Sequence, residues 1–283
     1  AGGSDPNYAL TRVDGTLVVR RRTLTASADD AARDYGDPNP PFTIHYDGFV
    51  NGDGPADLDT APSATCAAVP ASAVALYPIV PDNGSDNNYA FDYVNGSLTV
   101  DPAALTCTAD DKQRSYGQEN PGFTVSYDGL RNNDPGPATA PDASCAATPA
   151  SAVALYPISL AGGSDPNYVL TLIDGTLTVD PAALVCTADD AARDYGDPNP
   201  PFTISYSGLV NGDTAPQTIP DASCAATVAS DTGQYLISLA GGSDPNYTLT
   251  RVDGTLVVRR RTLTARADDA ARDYGDPNPP FTI

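Results

Sequence analysis

The sequence predicts an all-β protein made of small β-sandwich-like modules in tandem. The first observation behind this is composition: of 36 acidic residues only Glu119 is Glu, and the 283 residues include 24 Gly and 27 Pro. Asp, Gly and Pro favour turns and disfavour helix interiors. Since 41% of the residues are hydrophobic, the chain can still bury cores and is predicted to be ordered.

The second observation is an internal repeat, which decides the architecture. Two dipeptides, Tyr-Gly and Asn-Tyr, each occur four times, and both recur at spacings of 81, 79 and 79 residues. The tyrosines concerned are Tyr35, Tyr116, Tyr195 and Tyr274 for the first, and Tyr8, Tyr89, Tyr168 and Tyr247 for the second. One module of about 79 residues is large enough for a core of its own.

The repeat divides the chain into three complete modules and two partial ones. The predicted boundaries are 1–20 (the C-terminal part of a truncated module), 21–101 (module 1), 102–180 (module 2), 181–259 (module 3) and 260–283 (the N-terminal part of the next module). Residues 1–44 and 240–283 differ at only two positions, so three modules form a super-repeat of 239 residues. We therefore expect the chain to be a window from a longer continuous array.

The third observation is a series of short segments with alternating side chains, as half-buried strands require. In chain order within a module, they are exemplified by residues 105–111, 202–206, 156–160, 168–173 and 176–179. The Asp-Gly pair between the last two segments predicts that they form a β-hairpin. About six strands per module follow.

Helices are not expected, because the one candidate segment, 188–194, is too short for more than a turn or two. The modules are joined by only a few residues, and Pro102 and Pro181 stiffen two of these connections. Connections this short cannot act as free coil. The sequence therefore predicts that the modules are arranged end to end as an extended rod.

The repeated words of the sequence resemble those of a known family. They are Leu-Thr-x-x-Ala-Asp-Asp, Tyr-Gly-Asp-Pro-Asn-Pro-Pro-Phe-Thr, Tyr-x-Gly-Leu-Val-Asn-Gly-Asp, Tyr-Pro-Ile, Asn-Tyr and Gly-Thr-Leu-Thr-Val. Together they resemble the MBG domain of the Tyr-Gly-x type, over essentially the whole chain. The resemblance implies a bacterial extracellular or cell-surface setting and a stalk or adhesin role, with no catalytic residues. It also leaves β-grasp-like modules open as an alternative fold.

Five cysteines occupy two module positions, one in the opening strand and one in an Ala-Ser-Cys-Ala-Ala type segment. Pairing within a module joins Cys107 to Cys145 and Cys186 to Cys224 and leaves Cys66 unassigned. Pairing across a junction instead joins Cys66 to Cys107 and Cys145 to Cys186. We favour the first scheme because strands of one core are held together. Each bridge would close a loop of about 39 residues and stabilise a module by roughly 4 kcal/mol.

An Asp-rich loop is the candidate metal site. Asn51, Asp53, Asp57 and Asp59 offer the hard oxygen ligands that calcium prefers. The loop lacks the order of an EF-hand, and its residues also fit turns, which we favour over ligation. No cofactor is expected otherwise.

Two arginine triplets are candidate interchain contacts. They are Arg20, Arg21 and Arg22, and Arg259, Arg260 and Arg261. Each could bind the acidic surface of a neighbouring chain, and a solvated junction is an equally good interpretation. The expected partners are copies of the protein itself, along or across a filament.

Charge and composition exclude several classes of function. The formal net charge of −21 repels phosphates and anionic lipid heads, so nucleic acid is not an expected partner. No stretch approaches the roughly 20 apolar residues that insertion into a membrane needs. His45 is the sole His and no nucleophile and base recur, so the protein is not expected to be an enzyme.

The predicted function is the shaft of an extracellular filament or giant adhesin; the alternative is adhesive modules that recognise glycan or protein.

Overall fold

A computed structural model describes residue 3 and residues 5–283 of the chain. Module 1 contains β1 (Arg22–Ala28), β2 (Ala31–Asp34), β3 (Ile44–Asp47), a short 3-10 helix (Pro55–Asp57), β4 (Ser63–Cys66), β5 (Ala75–Asp82), β6 (Tyr89–Val94) and β7 (Gly96–Asp101). Module 2 contains β8 (Ala103–Ala109), β9 (Lys112–Ser115), β10 (Val125–Asp128), β11 (Asp142–Ser144), β12 (Ala154–Ala161), β13 (Tyr168–Ile173) and β14 (Gly175–Asp180). Module 3 contains β15 (Ala182–Ala188), β16 (Ala191–Asp194), β17 (Ile204–Ser207), β18 (Asp221–Cys224), β19 (Gly233–Ala240), β20 (Tyr247–Val252) and β21 (Gly254–Arg259).

Each module forms one three-stranded and one four-stranded sheet. The sheet orders are β3-β1-β6 with β2-β7-β5-β4, β10-β8-β13 with β11-β12-β14-β9, and β17-β15-β20 with β16-β21-β19-β18. In the smaller sheet of module 1, the opening strand β1 pairs antiparallel with β3 and parallel with β6. In the larger sheet, β7 pairs antiparallel with β5 and parallel with β2. The all-β fold class is thereby confirmed.

The core of module 1 lies between its two sheets. Along β1 every second side chain, from Leu24 to Ala26 to Ala28, is buried. They face Ile79 of β5 and Leu98 of β7, both fully buried, and β1 contacts both strands. Module 3 repeats this arrangement between β15 and the strands β19 and β21. The modules are therefore β-sandwich-like.

The hairpins predicted at Asp-Gly and Asn-Gly are wrong. Only one residue, Asn95, separates β6 from β7, yet β6 pairs with β1 in one sheet and β7 pairs with β5 in the other. The chain crosses from sheet to sheet at this point. Gly96 does not adopt a positive φ; a Cβ there would meet the carbonyl oxygen of Ala28 at 2.5 Å. The glycine thus permits a close approach of backbones and not a tight turn.

Two other segments differ from expectation. The helix candidate 188–194 is extended and contributes β16. The partial modules form no strands in residues 9–20 and 260–283, where a final hairpin and two opening strands were expected. In complete modules these strands pair with segments that the partial modules do not contain. Residues 1, 2 and 4 of the segment 1–20 lie outside the described residues.

The chain divides into two compact units. The first consists of Ala1–Thr108, Val125–Asp142 and Leu160–Ile173, and the second of Ala109–Thr124, Ala143–Ser159 and Asp174–Ile283. The first unit holds module 1 with the sheet β10-β8-β13, and the second holds the other sheet of module 2 with module 3. Within the described residues, no helix has the length and apolar character needed to cross a membrane.

Candidate functional site: the joints between modules

The tyrosine of the repeated Tyr-Gly pair lies at the end of a strand and is anchored through its backbone. Tyr35 directly follows β2, and its N–H donates to the carbonyl oxygen of Asp101, the last residue of β7, at 2.8 Å. The next N–H, that of Gly36, donates to the carbonyl of Pro70 at 3.1 Å. These two bonds fix the backbone of the Tyr-Gly pair at the end of β2.

In the first unit, Tyr35 of module 1 packs against Tyr168 of module 2. The two rings meet edge to face, with centroids 5.4 Å apart and planes at 82°. Both phenols donate to the same oxygen, Oδ2 of Asp134, at 3.1 Å from Tyr35 and 2.6 Å from Tyr168. Both rings are buried. We call Tyr35, Asp134 and Tyr168 the first joint.

The second unit contains the same arrangement one module further on. Tyr116 of module 2 meets Tyr247 of module 3 with centroids 5.4 Å apart and planes at 83°. Their phenols donate to Oδ2 of Asp213 at 3.3 Å and 2.7 Å respectively. We call these three residues the second joint. Its recurrence shows that the repeated sequence encodes the connection as well as the module.

Backbone groups reinforce each joint. In the first, the N–H of Val74 donates to Asn167 Oδ1 at 3.0 Å, and Asn132 Nδ2 approaches the carbonyl of Pro70 at 3.5 Å. The second joint has the corresponding bonds, from Val153 to Asn246 at 3.0 Å and from Asn211 to Pro149 at 3.1 Å. The Asn of the Asn-Tyr pair therefore serves the joint too.

The glycine of the Tyr-Gly pair is required by both conformation and space. Gly36 has a φ of +90°, a region that residues with a side chain rarely adopt. A Cβ at this position would lie 2.5 Å from the Cβ of Arg131 in module 2. Gly117 stands in the same relation to Val210 in the second joint.

A buried arginine holds the loop that the next module contacts. Arg33 donates from Nε to Asn39 Oδ1 and from Nη2 to the carbonyl of Val69, both at 2.7 Å. Asn39 in turn donates from Nδ2 to the carbonyl of Ala68 at 2.7 Å. The same network is built by Arg114 with Asn120 and by Arg193 with Asn199. These bonds fix the loop whose next residue, Pro70, takes part in the joint.

In module 3, which no complete module follows, the tyrosine of the Tyr-Gly pair is more exposed to solvent. Tyr35 and Tyr116 are 5% and 7% exposed, whereas Tyr195, at the same position of module 3, is 44% exposed. The backbone of Tyr195 is anchored as in the other modules, to the carbonyl of Arg259 at 2.9 Å. Burial of this side chain therefore comes from the following module.

The joints keep two phenols protonated. Loss of solvent on burial, together with the hydrogen bond to Asp134, raises the pKa of Tyr168 to about 12. Burial, with the hydrogen bond to Asp213, likewise raises the pKa of Tyr247 to about 12. Each neutral O–H can thus donate to its carboxylate over the whole physiological range of pH.

Comparison with known families gives a match to each module in turn. The pattern of the MBG domain (YGX type) matches residues 24–99, 105–178 and 184–257. The chain belongs to this family. At the two joints, the tyrosine of the Tyr-Gly pair in modules 1 and 2 contacts the next MBG module. Among curated proteins none matches the chain.

Solved structures include one tandem array with limited similarity. The crystal structure of the I9-I11 tandem from titin is 10% identical, with 87% of this chain and 99% of that chain covered and a TM-score of 0.23.

Three of the four candidate calcium ligands of the first MBG module accept hydrogen bonds from the protein itself. Asp53 accepts the Tyr89 phenol at 2.7 Å, and Asp57 accepts the N–H of Gly54 at 2.8 Å. Asp59 accepts a backbone N–H at 3.1 Å, and Asn51 occupies a left-handed turn with a φ of 62°. In the part of the chain that the structure describes, no three His, Cys, Asp or Glu residues stand together as metal ligands would.

The first arginine triplet lines a cleft of about 590 Å³ together with Asn51, Asp53 and Tyr89. These are the counterparts of the module 2 residues that receive Tyr35. The Arg22 side chain donates to the carbonyl of Gly48 at 3.0 Å, and no bond is found for the side chains of Arg20 and Arg21 among the described residues. The structure thus brings together two predicted site groups, the triplet and the Asp-rich loop.

The second triplet contacts the exposed Tyr-Gly region of module 3. Arg261 Nη1 lies 2.9 Å from Asp197 Oδ1 and 3.5 Å from the carbonyl oxygen of Tyr195. Arg259 ends β21, and Arg260 lines the adjoining cleft. The interchain role predicted for the triplets stays a prediction.

All five cysteines are free thiols in this structure, so neither predicted disulfide is formed. In module 3 Cys186 is fully buried on β15, and burial raises the pKa of its thiol. Cys224 is opposite Ile237 across an antiparallel pair, so both point to the same core. Cys107 is buried with a raised thiol pKa, while Cys66 and Cys145 are partly exposed. The pairing stays a prediction.

Sequence reasoning missed the joints. In the sequence the recurring tyrosines marked only the period of the repeat, whereas in the structure Tyr35 and Tyr116 follow strands and pack on another module. One signal was available: Tyr-Gly and Asn-Tyr recur with identical spacings. Residues that contact each other from successive repeats must recur with the same spacing. Any two positions in a repeat of constant length also do so, and the signal alone therefore does not identify a contact.

Proposed function

We propose that the chain is part of the shaft of an extracellular bacterial filament or giant surface adhesin. The observation that carries the proposal is the burial of Tyr35 and Tyr116, each against a tyrosine of the following module, at the two joints. The signature of the family is thus used for connecting modules. In a binding or catalytic domain, we would instead expect the residues that recur in every repeat to face a ligand.

The joint can be repeated without limit along a chain. Module 2 receives Tyr35 through Asp134 and supplies Tyr116 to Asp213. Because each MBG module carries both halves of the connection, added modules lengthen the array without a new kind of contact. Aromatic packing, hydrogen bonds and short linkers then restrict bending at every joint. We therefore propose that an array built from such joints is an extended and stiff shaft.

We also propose that covalent bridges reinforce the modules in an extracellular setting. Shaft modules elsewhere can be locked by Lys-to-Asn isopeptide bonds, but Lys112 is the only Lys here. Disulfides are the available substitute, and they persist in oxidising surroundings outside the cell. We propose bridges Cys107–Cys145 and Cys186–Cys224. Burial raises the pKa of the Cys107 and Cys186 thiols, which disfavours their reactive thiolate form in the folded module and so favours oxidation before or during folding.

The adhesive alternative would be favoured by an exposed aromatic cluster in each module. Module 1 has a stacked pair, Phe91 with Tyr93, with ring centroids 5.8 Å apart. The corresponding residues are Leu170 and Leu172 in module 2 and Leu249 and Arg251 in module 3. The aromatic pair is not repeated, so we propose the shaft.

Small-angle scattering from the 283-residue protein, and from one with a second super-repeat added, tests the proposal. We expect the maximum dimension to grow in proportion to the number of modules. Replacing Tyr116 by Ala should broaden the distance distribution because the second joint becomes a hinge. The matched control is Tyr195→Ala, which changes the same motif where no complete module follows. A globular profile, or equal effects of the two variants, would contradict the shaft.

The proposed location is tested separately. Antibodies against the repeat should label intact producing cells as strongly as permeabilised cells. Labelling that requires permeabilisation would place the array inside the cell and remove the extracellular part of the proposal.

A further inference from the structure

We propose that Asn211 is a site of spontaneous deamidation, that the closed second joint protects it, and that its reaction unlocks that joint. Deamidation would limit the chemical lifetime of the connection between modules 2 and 3, a property beyond the shaft function. The local geometry of residues 210–213 and their contact with module 2 support this proposal.

The residue pair Asn211-Gly212 has the features that favour attack by the backbone on the side-chain amide. Gly212 carries no side chain, and nothing lies within 4 Å of where a Cβ would be. No hydrogen bond of the Gly212 N–H is found among the described residues. Asn211 is exposed and has a φ of 56° in a turn closed by the N–H of Asp213 and the carbonyl of Val210 at 3.0 Å.

The reaction needs only water. The Gly212 nitrogen attacks Cγ of Asn211, so that a new C–N bond closes a five-membered succinimide. The bond from Cγ to Nδ2 breaks, and the amide leaves as ammonia with the proton released by the Gly212 nitrogen. Water then adds to one of the two ring carbonyls. The products at position 211 are aspartate and isoaspartate, and in the latter the main chain continues through the side-chain carboxyl group.

The joint restrains the atoms that must move. Asn211 Nδ2 donates to the carbonyl of Pro149 in module 2 at 3.1 Å, and this bond must break before the side-chain amide can rotate and react. Asn51 provides a matched comparison inside the same protein: it precedes Gly52, has a φ of 62°, and lies in a turn closed at 3.0 Å by Asp53 and Val50. No hydrogen bond from its side-chain amide is found among the described residues.

The first joint is protected in another way. Its equivalent asparagine, Asn132, precedes Asn133 and not glycine, although its φ of 54° is similar. A side chain on the attacking residue hinders closure of the ring. The two joints of one chain therefore differ in chemical lifetime, and the second is the one that ages.

Deamidation would weaken the second joint directly. The new carboxylate cannot donate to the carbonyl of Pro149, and it adds a negative charge two residues from Asp213, which both joint tyrosines bind. The isomer also lengthens the backbone at a turn on which the position of Asp213 depends. Either product favours separation of modules 2 and 3 at this contact.

Peptide mass spectrometry during incubation of the 283-residue protein at mildly alkaline pH tests the proposal. We expect deamidation at Asn211 to be about tenfold slower than at Asn51. This ratio corresponds to a free energy of about 1.4 kcal/mol for closing the second joint. Deamidation should be slowest at Asn132. Tyr116→Ala should raise the Asn211 rate to that of Asn51, whereas Tyr195→Ala should not. Equal rates at Asn51 and Asn211 in the unaltered protein, or no response to Tyr116→Ala, would overturn it.

A second measurement tests the consequence. The variant Asn211→Asp should abolish the slow hydrogen exchange expected for the Val153 amide, which is bonded to Asn246 across the same joint. The control Asn51→Asp should leave that exchange unchanged. Retention of full protection in Asn211→Asp would show that the reaction does not unlock the joint. This failure would leave the shaft proposal standing, because the latter is tested by scattering.

Discussion

The backbone N–H of Val153 donates to the side-chain oxygen of Asn246, 93 residues away, at 3.0 Å. Val153 lies just before β12 of module 2, and Asn246 lies just before β20 of module 3. A side chain thus occupies the place that a strand partner would fill within a sheet. Val74 and Asn167 repeat the relationship in the preceding joint. The contact ties the start of a strand in one module to the start of a strand in the next.

Removal of the two phenolic hydroxyls of the first joint should have unequal effects. Tyr168 donates to Asp134 at 2.6 Å within module 2, whereas Tyr35 donates to it at 3.1 Å from module 1. We expect Tyr168→Phe to lower the free energy of unfolding of module 2 by about 1.5–3 kcal/mol, and Tyr35→Phe by about 0.5–1.5 kcal/mol. Urea unfolding measures both. Tyr195→Phe is the control and should be neutral; a larger loss for Tyr35→Phe would contradict the assignment.

The joints should fail at alkaline pH. Folding raises the pKa of Tyr168 and Tyr247 from an ordinary value near 10 to about 12. A raised pKa means that the native state holds the proton more tightly, so its stabilising contribution is complete below pH 10 and is lost as the pH rises through 12. Absorbance of ionised tyrosine should show that Tyr168 and Tyr247 titrate later than an ordinary phenol. Both late titrations should vanish in the double variant Tyr168→Phe with Tyr247→Phe; normal titration of both residues in the unaltered protein would disprove the burial.

The glycine at the crossing between sheets should not tolerate a side chain. A Cβ at position 96 would meet the carbonyl oxygen of Ala28 at 2.5 Å, so one of the two backbones must move. We expect Gly96→Ala to destabilise module 1 by about 1–3 kcal/mol, the usual effect of overpacking. Gly122→Ala is the control, because nothing lies within 4 Å of its added Cβ. Equal melting temperatures for the two variants would argue against a close crossing.

The disulfide prediction is open to direct test. After oxidative refolding, mass spectrometry of unreduced peptides should find Cys107 joined to Cys145 and Cys186 joined to Cys224. Reduction should then lower the stability of each bridged module by roughly 4 kcal/mol. Replacement of Cys224 by Ala should remove the effect of reductant on module 3 alone. Peptides that join Cys66 to Cys107 would instead support bridges across a junction.

The parts of the fold that the sequence predicts well are those encoded locally. Alternating side chains locate the opening strand, and Leu105, Cys107 and Ala109 all point into the core. The period of the repeat gives the module. The hairpin at Asp174-Gly175 fails because the same dipeptide suits a tight turn and a close crossing, and only the pairing of distant strands distinguishes the two.

The joint could not be predicted from the amino-acid sequence around its residues. Tyr35 follows a strand and would suit a core, yet its partner Tyr168 belongs to another module. Nothing near either residue specifies the other. Asp134 also resembles an ordinary loop residue in its sequence context, and only its two phenol donors identify it as the centre of the connection.

Amide hydrogen exchange, resolved by residue with NMR, reports on each joint separately. The amides of Val74 and Val153 donate across the two joints, while the equivalent amide of Thr232 in module 3 has no such bond among the described residues. The account predicts slow exchange at Val74 and Val153 and fast exchange at Thr232. It further predicts that Tyr35→Ala exposes Val74 alone and Tyr116→Ala exposes Val153 alone. Fast exchange at all three amides in the unaltered protein would contradict the claim that Tyr-Gly builds the joints.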